Sequence, residues 1–494
     1  MDTAREDIVF TNSQQAAFNM IMSFIDSDDQ KVFILKGYAG TGKTTMVRAV
    51  IKELQSRYYR YVLLASTGRA AKVLSDSAQY MAQSCHNNTV SHIVQAKTIH
   101  SEIYTFDGIN QDLDLFGKPK GNSEIGTHKG IRLRFTLKHK VDPRSTIYIV
   151  DEASMISDNK EKSLSQAVYG SDNRLLKDLL EYDGNGKYIF IGDACQLPPV
   201  NQTLSPALSK DYLYCAFGIK AIEAELTEIV RQTSGNDIVY SASKIRKRID
   251  AAPICNIAKF PFKGYKNIKI LSTNEEMLKL YIEDIKRNGY TKSTLITMTN
   301  KQISDTSSIV RYSLGLGNNN LSVGDLLLVT QNNALTPLMN GDLIRVLQIG
   351  HKERRAGLTF VSVEVESITT PHKVYNTLLI EEVIYSGLTN LTQSQQTHLM
   401  IDFHYRMKDN NIKQGSATYN DQMREDNYLN ALRCVYGYAL TCHKSQGGEW
   451  DNVYLLMPRN MPYITPRSYV YRWVYTAMTR ARKTLYVIND YWVE

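Results

Sequence analysis

The stretch GYAGTGKTT, residues 37–45, restricts what this chain can fold into more than any other part of its sequence. It fits G-x-x-x-x-G-K-[ST] from Gly37 to Thr44 and stands between an apolar run, KVFILKG, and a helical repeat formed by Val47, Val50, Ile51 and Leu54. A loop that turns its backbone N–H groups toward one point needs residues free of a Cβ, which Gly40 and Gly42 supply, and the helix behind it adds a dipole that favours anions. Strand, phosphate-cradling loop and helix together form the unit of a parallel α/β sheet. In that arrangement Gly40, Thr41, Gly42, Lys43, Thr44 and Thr45 surround the phosphates of ATP. Lys43 reaches the β and γ phosphates, and the Thr44 hydroxyl binds Mg²⁺.

Further apolar runs repeat the theme. YVLLAS (61–66), TIYIVDE (146–152) and KYIFIGD (187–193) read as buried strands ending in small or acidic residues, with helical stretches between them. From His100 to Pro143 the pattern gives way to turn signals, FDGIN, GKPKGN and GTHKG, around the strand-like IRLRFTL, which predicts a small hairpin insertion. A second α/β stretch begins near residue 236 with NEEMLKLYIEDIKRNG, STLITMT and KQISDTSSIVRYSLG, and returns after residue 430 with YALTCHKS, NVYLLM, a helix around SYVYRWVYTAMTRAR and TLYVIN. Between its parts, LLLVTQN, DLIRVLQIG, LTFVSVEVESI and VYNTLLIEEVIY predict the strands of a small β-barrel over 324–386, followed by irregular and helical decoration over 387–430.

Composition narrows the setting. At 494 residues and 43% hydrophobic content the chain holds several cores, and no apolar run reaches the ~18 residues of a membrane helix, so a soluble, cytoplasmic protein is expected. The six cysteines form no C-x-x-C pair, which argues against zinc or a disulfide framework. A net charge of +8 favours a polyanionic partner.

Three more sites carry chemistry. Asp151 and Glu152 stand where a buried strand meets its C-terminal loop, where α/β sheets bind ligands: Asp151 suits Mg²⁺ through water, and Glu152 suits orienting and deprotonating an attacking water. Gln196 in GDACQLPPV can touch a γ-phosphate or that water and transmit its loss through Pro198 and Pro199. Arg231 in LTEIVRQT and Arg480 in YTAMTRAR are either solvated surface charges or, across a cleft, cations that neutralise the transition state.

Taken in order, GYAGTGKTT, ASTGRAAKVL, TIHS, IVDEASM, GDACQLPPV, LTEIVRQ, MTNKQ, YALTCHKSQGGEWDNV and YTAMTRARKTLYV resemble the superfamily 1B DNA helicases of the RecD-like and phage Dda-like type, over nearly the whole chain. The resemblance implies two RecA-like lobes, the first over 1–100 and 144–235 and the second over 236–323 and 431–494. It also implies a wedge hairpin at 101–143 and an SH3-like barrel with its extension at 324–430. Gln14 would read the adenine edge, and Gln446 and Gly447 of HKSQGGEW would face the nucleotide cleft. Thr67, His100, Asn300, Thr441, His443 and Lys444 would line single-stranded DNA, with Phe106 as the candidate strand-separating residue beside an Asp-Gly turn, Tyr104 and Phe116 as its rivals and a core position as the alternative for each. A strand-end turn or helix cap is the competing explanation for Thr67 and Asn300, and a structural histidine for His443.

The implied activity is ATP-driven 5′-to-3′ movement on single-stranded DNA with duplex unwinding at junctions, compatible with a monomer. An RNA-directed helicase, a translocase that does not unwind, and an ATP-switched binding module are the alternatives.

Overall fold

The computed structural model describes residues 9–83, 95–110, 132–140, 144–160, 167–170, 172–230, 236–251, 257–317, 320–368, 373–414 and 416–494. The strands of its first half are β1 (Val32–Gly37), β2 (Tyr61–Ala65), β3 (Lys97–Thr98), β4 (Tyr104–Asn110), β5 (Arg132–Leu137), β6 (Ile147–Asp151), β7 (Ala167–Tyr169), β8 (Lys187–Gly192) and β9 (Ile222–Leu226). Six of them form an all-parallel sheet in the order β3-β2-β6-β8-β1-β9. Val32, Phe33, Ile34 and Leu35 of β1 are all 0% exposed, which is why this strand is a continuous apolar run rather than an alternating one. Helices α1 (Asn12–Asp26), α2 (Lys43–Ser56) and α3 (Gly68–Gln83) belong to the same unit. Ile21, Met22 and Ile25 of α1 and Val47, Val50, Ile51 and Leu54 of α2 join one apolar cluster with β1, β2, β6 and β8.

The insertion differs from its sequence reading. β4 and β5 pair antiparallel, and β7, from outside residues 101–143, adds a third strand parallel to β5. FDGIN is not a turn: β4 runs through it, with a register irregularity between Phe106 and Gly108. An Asp-Gly pair serves a strand bulge as readily as a hairpin turn, because both exploit glycine's freedom. Phe106 therefore sits in the body of β4 rather than beside a tip, and its side chain lies outside the described residues.

The second half contains β10 (Ile268–Leu271), β11 (Ser293–Thr297), β12 (Leu326–Val329), β13 (Leu343–Arg355), β14 (Leu358–Ser367), β15 (Val374–Ile380), β16 (Cys434–Tyr436), β17 (Ala439–Thr441), β18 (Trp450–Leu456) and β19 (Ala481–Ile488). A second all-parallel sheet has the order β10-β19-β18-β11-β17. Helices α4 (Ile238–Ile249), α5 (Asn274–Asn288), α6 (Asn300–Ser313) and, further on, Arg467–Met478 accompany it. The remaining strands form an antiparallel sheet, β15-β14-β13-β12-β16. Its two edges meet: Leu432 N–H donates to Leu378 O (2.7 Å) and Ile380 N–H to Leu432 O (3.0 Å), closing a small barrel around Leu327, Ile344, Val361, Val363 and Leu379.

Two further readings need correction. VYNTLLIEEVIY is a strand only to Ile380; Glu381–Tyr385 is helical, with Glu381 and Glu382 in its first turn and the Glu382 carboxylate accepting Thr359 N–H (2.8 and 2.9 Å). Residues 387–430 are more than decoration. Within them α7 (Gln393–Asp409) and α8 (Ala417–Glu425) enclose an apolar cluster of Met400, Phe403, Met407, Tyr419 and Met423. The buried guanidinium of Arg433, just before β16, binds Asn390 Oδ1 (2.7 Å) and Gln396 Oε1 (2.8 Å), tying this helical pair to the barrel. Among the described residues no helix is long and apolar enough to cross a membrane. We number the helix Arg467–Met478 α9.

Candidate functional site

The phosphate loop leaves the C-terminal end of β1 and enters α2 at Gly42, which adopts φ +85°, with Gly40 at +79°. Both are left-handed conformations that cost a side-chain-bearing residue about 1 kcal/mol or more. The loop is braced from α1: Gln14 Nε2 donates to Thr41 O (3.0 Å), while Gln14 Oε1 accepts Thr11 N–H (3.0 Å) in a capping box. Both ends of that buried amide are thus engaged by protein rather than presented to a base. Thr41 Oγ1 donates to Tyr38 O (2.9 Å), and Lys43 Nζ folds back on Gly37 O (2.7 Å) and Tyr38 O (3.1 Å). Thr44 and Thr45 occupy the first turn of α2, Thr44 facing solvent.

β6 ends beside the loop. Asp151 Oδ1 accepts Glu152 N–H (2.8 Å), Glu152 is held at φ +51°, and Ser66 Oγ donates to Glu152 O (2.9 Å). Burial pushes the Asp151 carboxyl above its ordinary range, opposed by the Glu152 N–H and the Lys43 charge. Burial also raises Glu152, the charges of Asp151 and Asp193 add to it, and Arg480 and Lys43 oppose. The strained backbone turns two adjacent carboxylates toward two cations from different parts of the chain.

The other side of the site comes from the second parallel sheet. α9 presents Arg472, Tyr475, Thr476 and Thr479 on one face, followed by Arg480, at helical spacing. Leu197 N–H donates to Thr476 Oγ1 (2.8 Å) and Arg472 Nη1 donates to Ala194 O. Tyr475 OH donates to Asp193 Oδ2 (2.7 Å) and accepts Ala39 N–H (3.2 Å), so one phenol links the phosphate loop to the loop that follows β8. Arg480 is held by Thr476 O (3.0 Å) and Gly448 O (3.3 Å). Gln446 Nε2 donates to Leu197 O (3.2 Å), and the Gln196 and Gln446 side-chain oxygens are both buried with no hydrogen-bond donor. Two orphaned acceptors in one cleft are expensive unless a ligand or water supplies donors. At the mouth, the Arg246 guanidinium of α4 stacks 3.6 Å from the centre of the Tyr38 ring, whose hydroxyl donates to Glu225.

Lys43, Asp151, Glu152, Gln196, Gln446 and Arg480 are therefore brought to one region, while Arg231 lies outside the described residues. Sequence reasoning missed Tyr475, Asp193 and Arg246. The helical face shared by Arg472, Tyr475, Thr476 and Arg480 was the available signal for the first.

The residues expected along a nucleic acid are more scattered. Asn300, at the start of α6, and Lys444 line one crevice with Ser304, Ser307, Leu328 and Tyr436, between the second sheet and the barrel. Burial pushes Lys444 down to about 8 and lowers His443. Thr67 and Thr441 cap helices through Ala70 N–H (3.2 Å) and Lys444 N–H (3.4 Å). His100 packs against Tyr104 and Tyr169 at 5.7 and 5.0 Å, and burial pushes it down to about 4, so it brings no charge at neutral pH. Gly447, at φ +72°, lets its loop lie on α3: a Cβ there would meet Thr67 Oγ1 at 3.4 Å and Ala70 Cβ at 3.3 Å. Three residues on, the buried Trp450 carries the Arg69 guanidinium of α3 4.3 Å from its ring centre.

A phosphate loop and carboxylate pair on one parallel sheet, faced by an arginine-bearing helix from a second, define a two-lobed RecA-like nucleotide-binding protein. Residues 10–252 match the family described as AAA domain, and residues 436–488 match the UvrD-like helicase C-terminal domain. The chain is 24% identical to the ATP-dependent RecD2 DNA helicase of Deinococcus radiodurans over 92% of its own length and 46% of the relative's. It is 21% identical to the RecBCD enzyme subunit RecD of Buchnera aphidicola, over 93% of this chain and 70% of that one. It spans 37% of protein MJ1519 of Methanocaldococcus jannaschii, at 23% identity. The Bacteroides Pif1 helicase, solved with ADP-AlF3 and ssDNA, is similar at 16% identity, with a TM-score of 0.46 over 98% of this chain and 93% of that one. These matches make the chain similar to the RecD-like helicases of superfamily 1B.

Proposed function

We propose that the protein is an ATP-dependent DNA helicase that moves 5′-to-3′ on single-stranded DNA and separates duplex at single-strand/double-strand junctions. The observation that supports this most is the composite site: α9 of the second lobe touches both the phosphate loop and the Asp193–Leu197 loop of the first. Such a site changes shape with its nucleotide, and that change is what a motor needs. The 5′-to-3′ polarity rests on the resemblance of the chain's motifs to the superfamily 1B helicases.

In this reading Lys43 exchanges its two carbonyl partners for the β and γ phosphates of ATP, and the loop N–H groups hold the rest. Glu152, whose burial raises its proton affinity while Arg480 and Lys43 favour its ionised form, orients and deprotonates the attacking water. Gln196 accepts a hydrogen bond from that water with its orphaned oxygen or donates one to the γ-phosphate from its amide nitrogen, and Arg231 and Arg480 neutralise the developing charge. A Mg²⁺ ion fits the adjacent desolvated carboxylates, with Thr44 and, through water, Asp151 holding it; it would supply charge neutralisation at the phosphates. Asn300, Thr441, His443, Lys444, Thr67 and His100 line the strand, and the hairpin sheet with the SH3-like barrel forms the separating and gripping parts.

The test is ATP-dependent unwinding of one duplex carrying either a 5′ or a 3′ single-stranded tail, with Lys43→Ala as control. Unwinding from the 5′ tail alone is expected, and the variant is expected to be inactive. Unwinding from the 3′ tail would overturn the polarity. Hydrolysis without unwinding from either tail would favour a translocase or a switch.

A further inference from the structure

Tyr475 has a chemical position that its helix alone does not require. Its ring is 2% exposed, and its hydroxyl is used twice, once as donor to Asp193 Oδ2 (2.7 Å) and once as acceptor from Ala39 N–H (3.2 Å). Asp193 is itself 0% exposed, its other oxygen being taken by Cys195 N–H (2.9 Å). The carboxylate therefore fixes the direction of the phenolic hydrogen, and the phenolic oxygen is left facing the third residue of the phosphate loop. Asp193 is also one of the charges acting on Glu152. Ala39, Tyr475, Asp193 and Glu152 thus share the hydrolytic side of the loop, the side on which the last phosphate of a triphosphate would lie.

Ala39 has one N–H hydrogen. A phosphate oxygen carries far more negative charge than a neutral phenol and takes that hydrogen in any contest. Resting on the reading of the site as an ATP cleft, we infer that Tyr475 is a positioning residue that reads the terminal phosphate: its hydroxyl holds Ala39 N–H until a third phosphate displaces it, which releases α9 from the loop. Thr476, held by Leu197 N–H, sits on the same helix, and Arg480, just past the helix's C-terminal cap, donates from Nε to Thr476 O (3.0 Å). Loss of one contact is in this way conveyed to the arginine beside Glu152.

The experiment compares equilibrium affinities of ATPγS and ADP for the full chain and for Tyr475→Phe, without DNA. Removing a competitor for one hydrogen bond should tighten ATPγS by roughly threefold to tenfold, while ADP stays within about twofold. A residue that merely supports packing would weaken both nucleotides together. An unchanged ratio of the two affinities, or a parallel loss, overturns the inference. Should the phenylalanine variant fail to fold, Asp193→Asn serves in its place: it keeps the shape but loosens the group that aims the hydroxyl. The same sign at smaller amplitude is expected, and no shift in the ratio is fatal. Because no strand separation is measured, a wild-type protein that fails to unwind DNA but shows this shift would overturn the helicase reading alone.

Discussion

Gln14 and Gly42 meet so closely that a Cβ on the glycine would stand 2.3 Å from Gln14 Nε2. That nitrogen is committed to Thr41 O, so it has little room to yield, and Gly42 also needs its φ of +85°. Gly42→Ala should therefore lose stability by about 1–3 kcal/mol and bind ATP weakly. Adding Gln14→Ala removes the collision and leaves the backbone strain, so the double variant should recover part of the stability. Denaturant melts of the three proteins check the order. A single variant as stable as wild type would mean that the brace is looser than its geometry.

Glu152 gives a pH-dependent prediction. Its ordinary value is near 4.5, and in the folded chain burial raises it, so the folded chain holds that proton more tightly than the unfolded one. Its contribution to stability is complete below the ordinary value and is lost as pH rises through the raised one. Glu152→Gln stays neutral throughout. The variant should gain stability relative to wild type as pH rises above the ordinary carboxylate range, while ATP turnover falls by ~10²-fold or more. Thermal melts at several pH values, paired with ATPase rates, decide this. Equal pH dependence in the two proteins would contradict it.

Lys444 is pushed down to about 8 by burial, so near neutral pH its charge is already partly withdrawn. In the free fold the cost of the buried ammonium disappears as pH rises through that value, so its withdrawal favours the fold and disfavours a phosphate contact. Affinity for single-stranded DNA should fall between about pH 7 and 9 in wild type, and Lys444→Arg should flatten that fall because a guanidinium does not titrate there. Fluorescence anisotropy with a labelled oligonucleotide at fixed ionic strength is the measurement. Parallel curves would remove Lys444 from the strand contacts.

How much of this was legible depended on whether the physics was local. The phosphate loop was readable because its requirement, positive φ at Gly40 and Gly42 between strand and helix, is written in adjacent residues. The Asp151–Glu152 pair was readable as acid at a strand end. Tyr475 was not, because a tyrosine in an apolar helix reads as core, and its partner Asp193 is 282 positions away. The same distance effect hid the closing bridge between Leu379 and Leu432, although the barrel strands alternate clearly. Local signals also misled: Asp107–Gly108 has the composition of a turn and is a strand irregularity. The α7–α8 pair was read only as irregular and helical decoration because its core uses Met and Tyr among polar residues rather than an aliphatic stripe.

HKSQGGEW is the remaining case, and its two glycines make different demands. Gly447 needs a left-handed backbone, with only moderate contacts above it, whereas a Cβ on Gly448 would stand 2.6 Å from Trp450 Cη2 and 2.7 Å from Arg69 Cζ. The second collision falls on the stacked pair that joins α3 of the first lobe to β18 of the second, and Trp450 belongs to the second lobe's core. Gly448→Ala must expel either the guanidinium or the indole, at a cost of about 1–3 kcal/mol; Gly447→Ala should cost about 1 kcal/mol through backbone strain. Arg69→Ala in the Gly448→Ala background removes one of the two obstructing groups and should recover more stability there than the same change costs in wild type. A double-mutant cycle by chemical denaturation measures that coupling directly. If the two substitutions prove additive, the Arg69–Trp450 stack does not govern the spacing of the lobes at this loop.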